Sequence, residues 1–339
     1  MVIWRGDKSA EVTDGHLRHY AESAPGTGIA IVEATAVSPE GRLAATVLGL
    51  FEDRQIPGMG DLVRSLRRAG TLPGIQLNHA GGKTDTEKTY GLRPVAPSGF
   101  EDRPEVEQLE ETGILRIIED FVSAAKRAVE AGFELLELHG AHGYLGSQFL
   151  SPRTNRRKDR WGGSLENRLR FLRELVKQVR DAVDGKALLS CRLGVAEGDP
   201  EGLGIEDGVE AAKILAGEGL DLIHVSHAGS KPAPLEADSP FDPVMQLAKP
   251  VRRAVEIPVI GVGGIVEPIE AEEALRAEYA DFVAPGRAIL ADPGWARKTS
   301  EGKVEQIVRC RQCEPRCYHH TNPKLCPTRN RLGIQPPGL

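Results

Sequence analysis

Seven short apolar, β-branched runs recur along this chain, and a longer amphipathic or polar stretch separates each from the next. The runs are 29–36 (IAIVEATA), 72–79 (LPGIQLNH), 133–139 (FELLELH), 187–193 (ALLSCRL), 220–226 (LDLIHVS), 257–262 (IPVIGV) and 281–285 (DFVAP). Helical periodicity fills the intervals at about 56–69, 114–131, 165–183, 205–217, 242–254 and 267–276. Ser164 caps the third of these, with Glu166 and Asn167 in its first turn. Strand and helix in such alternation predict a parallel sheet covered by helices. The spacing and the length of 339 residues suit a (β/α)8 TIM barrel. A doubly wound sheet is the alternative, but its GxGxxG after the first strand is missing. Seven strands are one short of a barrel. The remaining candidate is Met1–Trp4 (MVIW), so the first strand is expected to be truncated or missing.

Two stretches break the rhythm. Residues 80–112 form a long polar, Pro/Gly-rich insertion after the second run, and in a barrel the loops at strand C-termini build the active site. Residues 301–339 carry four of the five cysteines, Cys310, Cys313, Cys317 and Cys326. Cysteines so clustered favour a metal or cluster site over a disulfide framework. The expected division is therefore a barrel over 1–300 and a cysteine-rich segment over 301–339. A net charge of −6 argues against a nucleic-acid surface. No apolar stretch approaches a membrane span or a signal-peptide core, so a cytoplasmic location is expected.

On a barrel the residues following each strand converge on one mouth. Here they are Glu33–Thr35, Gln76–His79, His139–Tyr144, Arg192, His224 with His227, Gly261–Gly264 and Pro285–Arg287. The last two stretches, GVGG and GRA, let backbone N–H groups and one arginine approach a phosphate, although GVGG alone also suits a tight turn. With only nine His and five Tyr in the chain, His139, His142 and Tyr144 fall within six positions. Two neutral imidazoles can donate hydrogen bonds to one oxygen and polarise a carbonyl or nitro group, and a phenol beside them can act as a general acid. A metal site or two structural histidines are the alternatives. The metal reading wants a nearby carboxylate, and Glu137 is expected to point away from the strand end.

Over nearly the whole barrel the chain resembles the old yellow enzyme family, flavin-dependent ene-reductases built on a (β/α)8 barrel. The segment HGAHGYLGSQFLSPRTNRRKDRWGGSLENR carries most of the likeness. EVTDGHLRHY, IVEATAVSPEGR, GIQLNHAG, VAPS, CRL, GVGG and APGRAILADP follow the family's order. The HxxH pair and VEATAVSPEGR look most like the bacterial xenobiotic-reductase type. The resemblance implies FMN in the barrel mouth, with Ala34 and Gln76 at the ring edge and Arg192 near N1/O2. It places Gly263, Gly264, Gly286 and Arg287 at the phosphate. It implies that His139 and His142 hold the oxygen of an enone- or enoyl-like substrate, flavin N5 delivers hydride to the β-carbon, and Tyr144 protonates the α-carbon.

The cysteine segment, C-x2-C-x3-C followed after a gap of eight residues by Cys326, resembles that of 2,4-dienoyl-CoA reductase and trimethylamine dehydrogenase. This implies a 4Fe-4S cluster; four thiolates also satisfy zinc. The larger relatives continue into further domains, so NAD(P)H or a separate electron-transfer protein is the expected donor. A homo-oligomer is the expected assembly. Two other functions share these features. An amine dehydrogenase-like flavoprotein wants an aromatic cage that a chain with 8 Phe, 3 Trp and 5 Tyr supplies poorly. The other is a non-catalytic barrel subunit.

Overall fold

A computed structural model describes residues 1–314, 317–321 and 323–330. Its frame is one parallel sheet of seven strands in chain order: β1 Ile29–Ala36, β2 Leu72–Asn78, β3 Leu135–Gly140, β4 Leu188–Gly194, β5 Leu222–Ser226, β6 Val259–Gly261 and β7 Phe282–Val283. Each coincides with one of the seven apolar runs. Both edge strands line the same cavity, so the sheet curls toward closure as a TIM barrel does. Met1–Trp4 is not an eighth strand: among the described residues the outer edge of β1 carries only an isolated bridge from Ala36 to Gly49, and no strand pairs with the outer edge of β7. Instead, the Ile3 N–H donates to the buried Glu33 carboxylate at 3.1 Å, which draws this segment across the end of β1.

Helices α1 Asp14–Ser23, α2 Ile56–Arg68, α3 Glu111–Ala131, α4 Leu145–Leu150, α5 Leu165–Val183 and α6 Ile205–Gly217 follow in order. Between the sheet and these helices lies a continuous core that includes Leu62, Leu66, Ile117, Phe121, Leu172 and Val176. Helix α5 starts as its sequence predicts, with Ser164 Oγ accepting from Asn167 N at 3.3 Å. Helix α3 ends at Gly132, whose φ of 98° lies in the left-handed region that glycine adopts without a steric cost. Periodicity misses α1 because its buried face is polar, made of His16, Tyr20 and Ser23. The helix expected over 242–254 splits into Pro243–Gln246 and Ala248–Ala254. Pro250 has no N–H to give the Gln246 carbonyl, and its ring crowds that carbonyl.

The insertion is ordered by the segment after α4. Asn155 Nδ2 donates to the Phe149 and Trp161 carbonyls at 2.7 Å each, and Arg157 Nη1 to the Pro97 carbonyl at 2.9 Å. That part of the family-like signature is therefore scaffold, and it fixes one wall of the mouth. No helix among the described residues is long and apolar enough to cross a membrane.

Candidate active site

Period-2 alternation decides which strand residues face the barrel axis. Gln76 on β2 stands opposite Glu137 on β3, and one level higher His139, Arg192 and His224 stand side by side on β3, β4 and β5. Glu137 is two residues from His139 and so shares its face. The expectation that it points away is corrected: its carboxylate is buried inside the barrel, one level below the imidazole. Above this layer opens a cavity of about 830 Å³. It brings together Ala34, Gln76, Arg192, His139, His142 and Tyr144 from the first four strands and their loops. From the last two strands it takes Gly263, Gly264, Gly286 and Arg287. His79, expected at the mouth, is instead buried outside this lining, its Nδ1 accepting from Gly81 N at 3.0 Å.

Two cations on the cavity wall make no ion pair among the described residues, although the Glu137 carboxylate one level below acts electrostatically on Arg192. Among the described residues Arg287 makes neither ion pair nor hydrogen bond, and no carboxylate lies within 4 Å of Arg192, whose buried Nε also lacks a partner. Buried charge without a partner is costly unless a ligand supplies one. Gly264, at φ +70°, leaves no room for a side chain, since a Cβ there would come within 2.8 Å of Asp242 Cβ. Gly286 is similarly close to Met1, whose Sδ lies 2.8 Å from the position of a Cβ at 286, so a ligand that reaches Gly286 moves Met1 aside. Two unpaired guanidinium groups and a glycine-lined end fit an elongated anion such as FMN.

A chain of hydrogen bonds runs across the other end. His139 Nδ1 lies 2.8 Å from Asn78 Oδ1, His139 Nε2 3.1 Å from His142 Nδ1, and His142 Nε2 2.8 Å from Ser226 Oγ. Burial first, then the charge of Arg192, pushes the His139 pKa down to about 3, and the same causes hold His142 well below its ordinary value. Both rings are therefore neutral. An amide oxygen only accepts, so His139 carries its proton on Nδ1, His142 donates from Nδ1, and Ser226 donates to His142. In this arrangement neither ring has an N–H left for a ligand. Asn78 Nδ2 is buried without a partner, and a half-turn of that amide would donate to His139 Nδ1 and move the His139 proton to Nε2. His142 itself sits at φ +60°, an unusual conformation for a non-glycine residue. Its N–H donates to the His227 carbonyl at 3.0 Å, and its own carbonyl accepts from Lys83 Nζ at 2.7 Å. Tyr144 lies with its ring centroid 5.1 Å from that of His139, and burial raises its phenol above the ordinary value.

Sequence reasoning missed Asn78, Glu137 and Ser226 as partners in this network. Their signal was available: Glu137 is two residues before His139 on a strand, and Asn78 and Ser226 end strands that flank β3 and β4. None of the four cysteines is in a disulfide, and all line one small cavity beside Arg287 and Leu290. That space, about 10 Å³, is the size of one water rather than a cubane. Among the described residues no three His, Cys, Asp or Glu side chains are placed to hold a metal ion. The ligand set expected at Cys310, Cys313, Cys317 and Cys326 is gathered but not formed.

Comparison with known proteins agrees with this geometry. The chain is 40% identical over 312 residues to an NADH oxidase of Thermoanaerobacter brockii, covering 88% of this chain but only 47% of that protein. It is 38% identical over 289 residues to an NADPH dehydrogenase of Geobacillus sp. (strain WCH70), covering 85% and 84% of the two chains. The structure of the old yellow enzyme homologue from Zymomonas mobilis superposes with a TM-score of 0.77 at 25% identity, covering 89% of this chain and 87% of that one. The sequence profile of one flavin-enzyme family matches residues 1–306, and with these relatives it places the chain in the NADH:flavin oxidoreductase / NADH oxidase family.

Proposed function

We propose that this protein is an FMN-dependent, NAD(P)H-oxidising reductase of an activated C=C bond in an enone- or enoyl-like small molecule. One observation carries the reading: Arg192 and Arg287, neither in an ion pair among the described residues, share a single cavity with His139, His142 and Tyr144. Bound FMN would supply the hydride chemistry, and the chain's own groups do the rest. Arg192 would face the cofactor's ring, Gly263, Gly264, Gly286 and Arg287 would hold its phosphate, and Ala34 and Gln76 would meet the ring edge. His139 and His142, once Asn78 has turned, hold the substrate oxygen and draw electron density from the alkene. Tyr144, which burial keeps protonated, supplies the proton. A substrate end lined by imidazoles and one phenol supports this over amine oxidation, which wants an aromatic cage.

The test is reconstitution. Mixed with excess FMN and passed through gel filtration, the protein is expected to emerge yellow and to be bleached anaerobically by NADPH or NADH, then re-oxidised by an α,β-unsaturated ketone. Colourless protein would end the flavin reading in favour of a non-catalytic barrel. Bleaching without re-oxidation by any activated alkene would keep the flavin and end the substrate assignment. Cys310, Cys313, Cys317 and Cys326 gather around one cavity, and an iron–sulfur site fed by a separate electron-transfer protein would need that small space to open around a cluster. Iron and acid-labile sulfide should then co-purify anaerobically, and zinc without sulfide would remove that assignment.

A further inference from the structure

Beneath the cavity floor lies a charged group that the proposed chemistry does not use. The Glu137 side chain is 1% exposed. Its Oε1 accepts from Gln76 Nε2 at 2.7 Å, and its Oε2 lies 2.8 Å from His224 Nδ1. Burial alone would raise this carboxyl, but His224, Arg192 and Gln76 outweigh it and hold it down at about 2. It is an anion at any ordinary pH, and an anion can only accept.

That constraint passes to both neighbours. Burial lowers the His224 pKa, so its ring is neutral and places its single proton on Nδ1 against the carboxylate. His224 Nε2 is then a bare lone pair, and it is buried with no partner in a residue that lines the cavity. Gln76 spends its Nε2 on Glu137 and keeps Oε1 for the cavity. Arg192 adjoins His224 in the register and can only donate.

We propose that Glu137 is a positioning residue that polarises the cofactor site: by accepting from Gln76 and His224 it turns both into acceptors facing the cavity, beside the donor Arg192. A ring edge that meets this wall must offer an N–H to an acceptor and a lone pair to Arg192, and the pyrimidine half of a flavin carries both. The inference rests on the FMN reading above and adds the residue that sets the direction of each hydrogen bond. Its anionic charge beside Arg192 also offsets part of the field that would favour reduced, negatively charged flavin.

Glu137→Gln tests it. A glutamine must donate its own N–H₂ to one partner, which forces either His224 to the other tautomer or the Gln76 amide to flip. One acceptor on the wall becomes a donor, and FMN should bind roughly ten- to a hundredfold more weakly. Loss of the negative charge should raise the two-electron midpoint potential by about 30 mV, a tenfold change in that equilibrium. Wild-type apoprotein provides a check that needs no variant: ¹⁵N-histidine spectra should show His224 neutral with its proton on Nδ1. An Nε2–H or doubly protonated His224 overturns the inference. So does a folded Glu137→Gln protein with unchanged FMN affinity and potential, while the FMN reading stands. If wild-type protein binds no FMN, that reading falls and takes this one with it.

Discussion

Tyr144→Phe slows reduction of an activated alkene by about 10²–10⁴-fold while reduction of bound FMN by NAD(P)H stays within about twofold of wild type; general-acid catalysis by a positioned side chain is typically worth that much. The ring's packing survives the substitution, since phenylalanine keeps the ring whose centroid lies 5.1 Å from that of His139. Only the proton is lost. Burial holds that proton through the neutral range, so the wild-type oxidative half-reaction should not fall as pH rises from 6 toward 9. Stopped-flow measurement of the two half-reactions separates the possibilities. Equal losses in both would mean that Tyr144 shapes the cavity instead of donating a proton.

Replacing His139 and His142 together by alanine should weaken the binding of a phenolic ligand by roughly a hundredfold, because a buried oxyanion loses two charge-assisted donors. Asn78→Asp should reproduce part of that loss, about tenfold or more, without removing either ring. A carboxylate at 78 can only accept, so it fixes the His139 proton on Nδ1 and leaves Nε2 unable to donate to a ligand. Titration of the long-wavelength absorbance that a phenolate produces over bound flavin reads both variants. Unchanged affinity in the double alanine variant would take the histidines out of the substrate site. Unchanged affinity in Asn78→Asp alone would leave them there and remove the tautomer argument.

The seven strands were legible because each is a short apolar run, and the central ones are buried on both faces, a pattern that needs no knowledge of its neighbours. Helix α1 was not, since His16, Tyr20 and Ser23 on its inner face find their reason only in the Glu33 carboxylate and the sheet they cover. The same division holds at the cavity. Position at a strand end was enough to nominate Arg192, His139, Gly264 and Arg287. Glu137 was misplaced because the reading followed the strand's end and neglected its alternation.

From the order of residues alone came the parallel βα frame, its missing eighth strand and the candidates around the mouth, because these depend on periodicity and on where each strand stops. Tertiary structure alone decided which way each proton points. Whether His139 gives or accepts, and whether His224 presents a lone pair, is set by Asn78, Ser226 and Glu137, each of which lies 61 or more residues along the chain from the ring it holds. A hydrogen bond's direction is a property of two groups brought within 3 Å, and no local pattern in one strand records what the next strand will place opposite it.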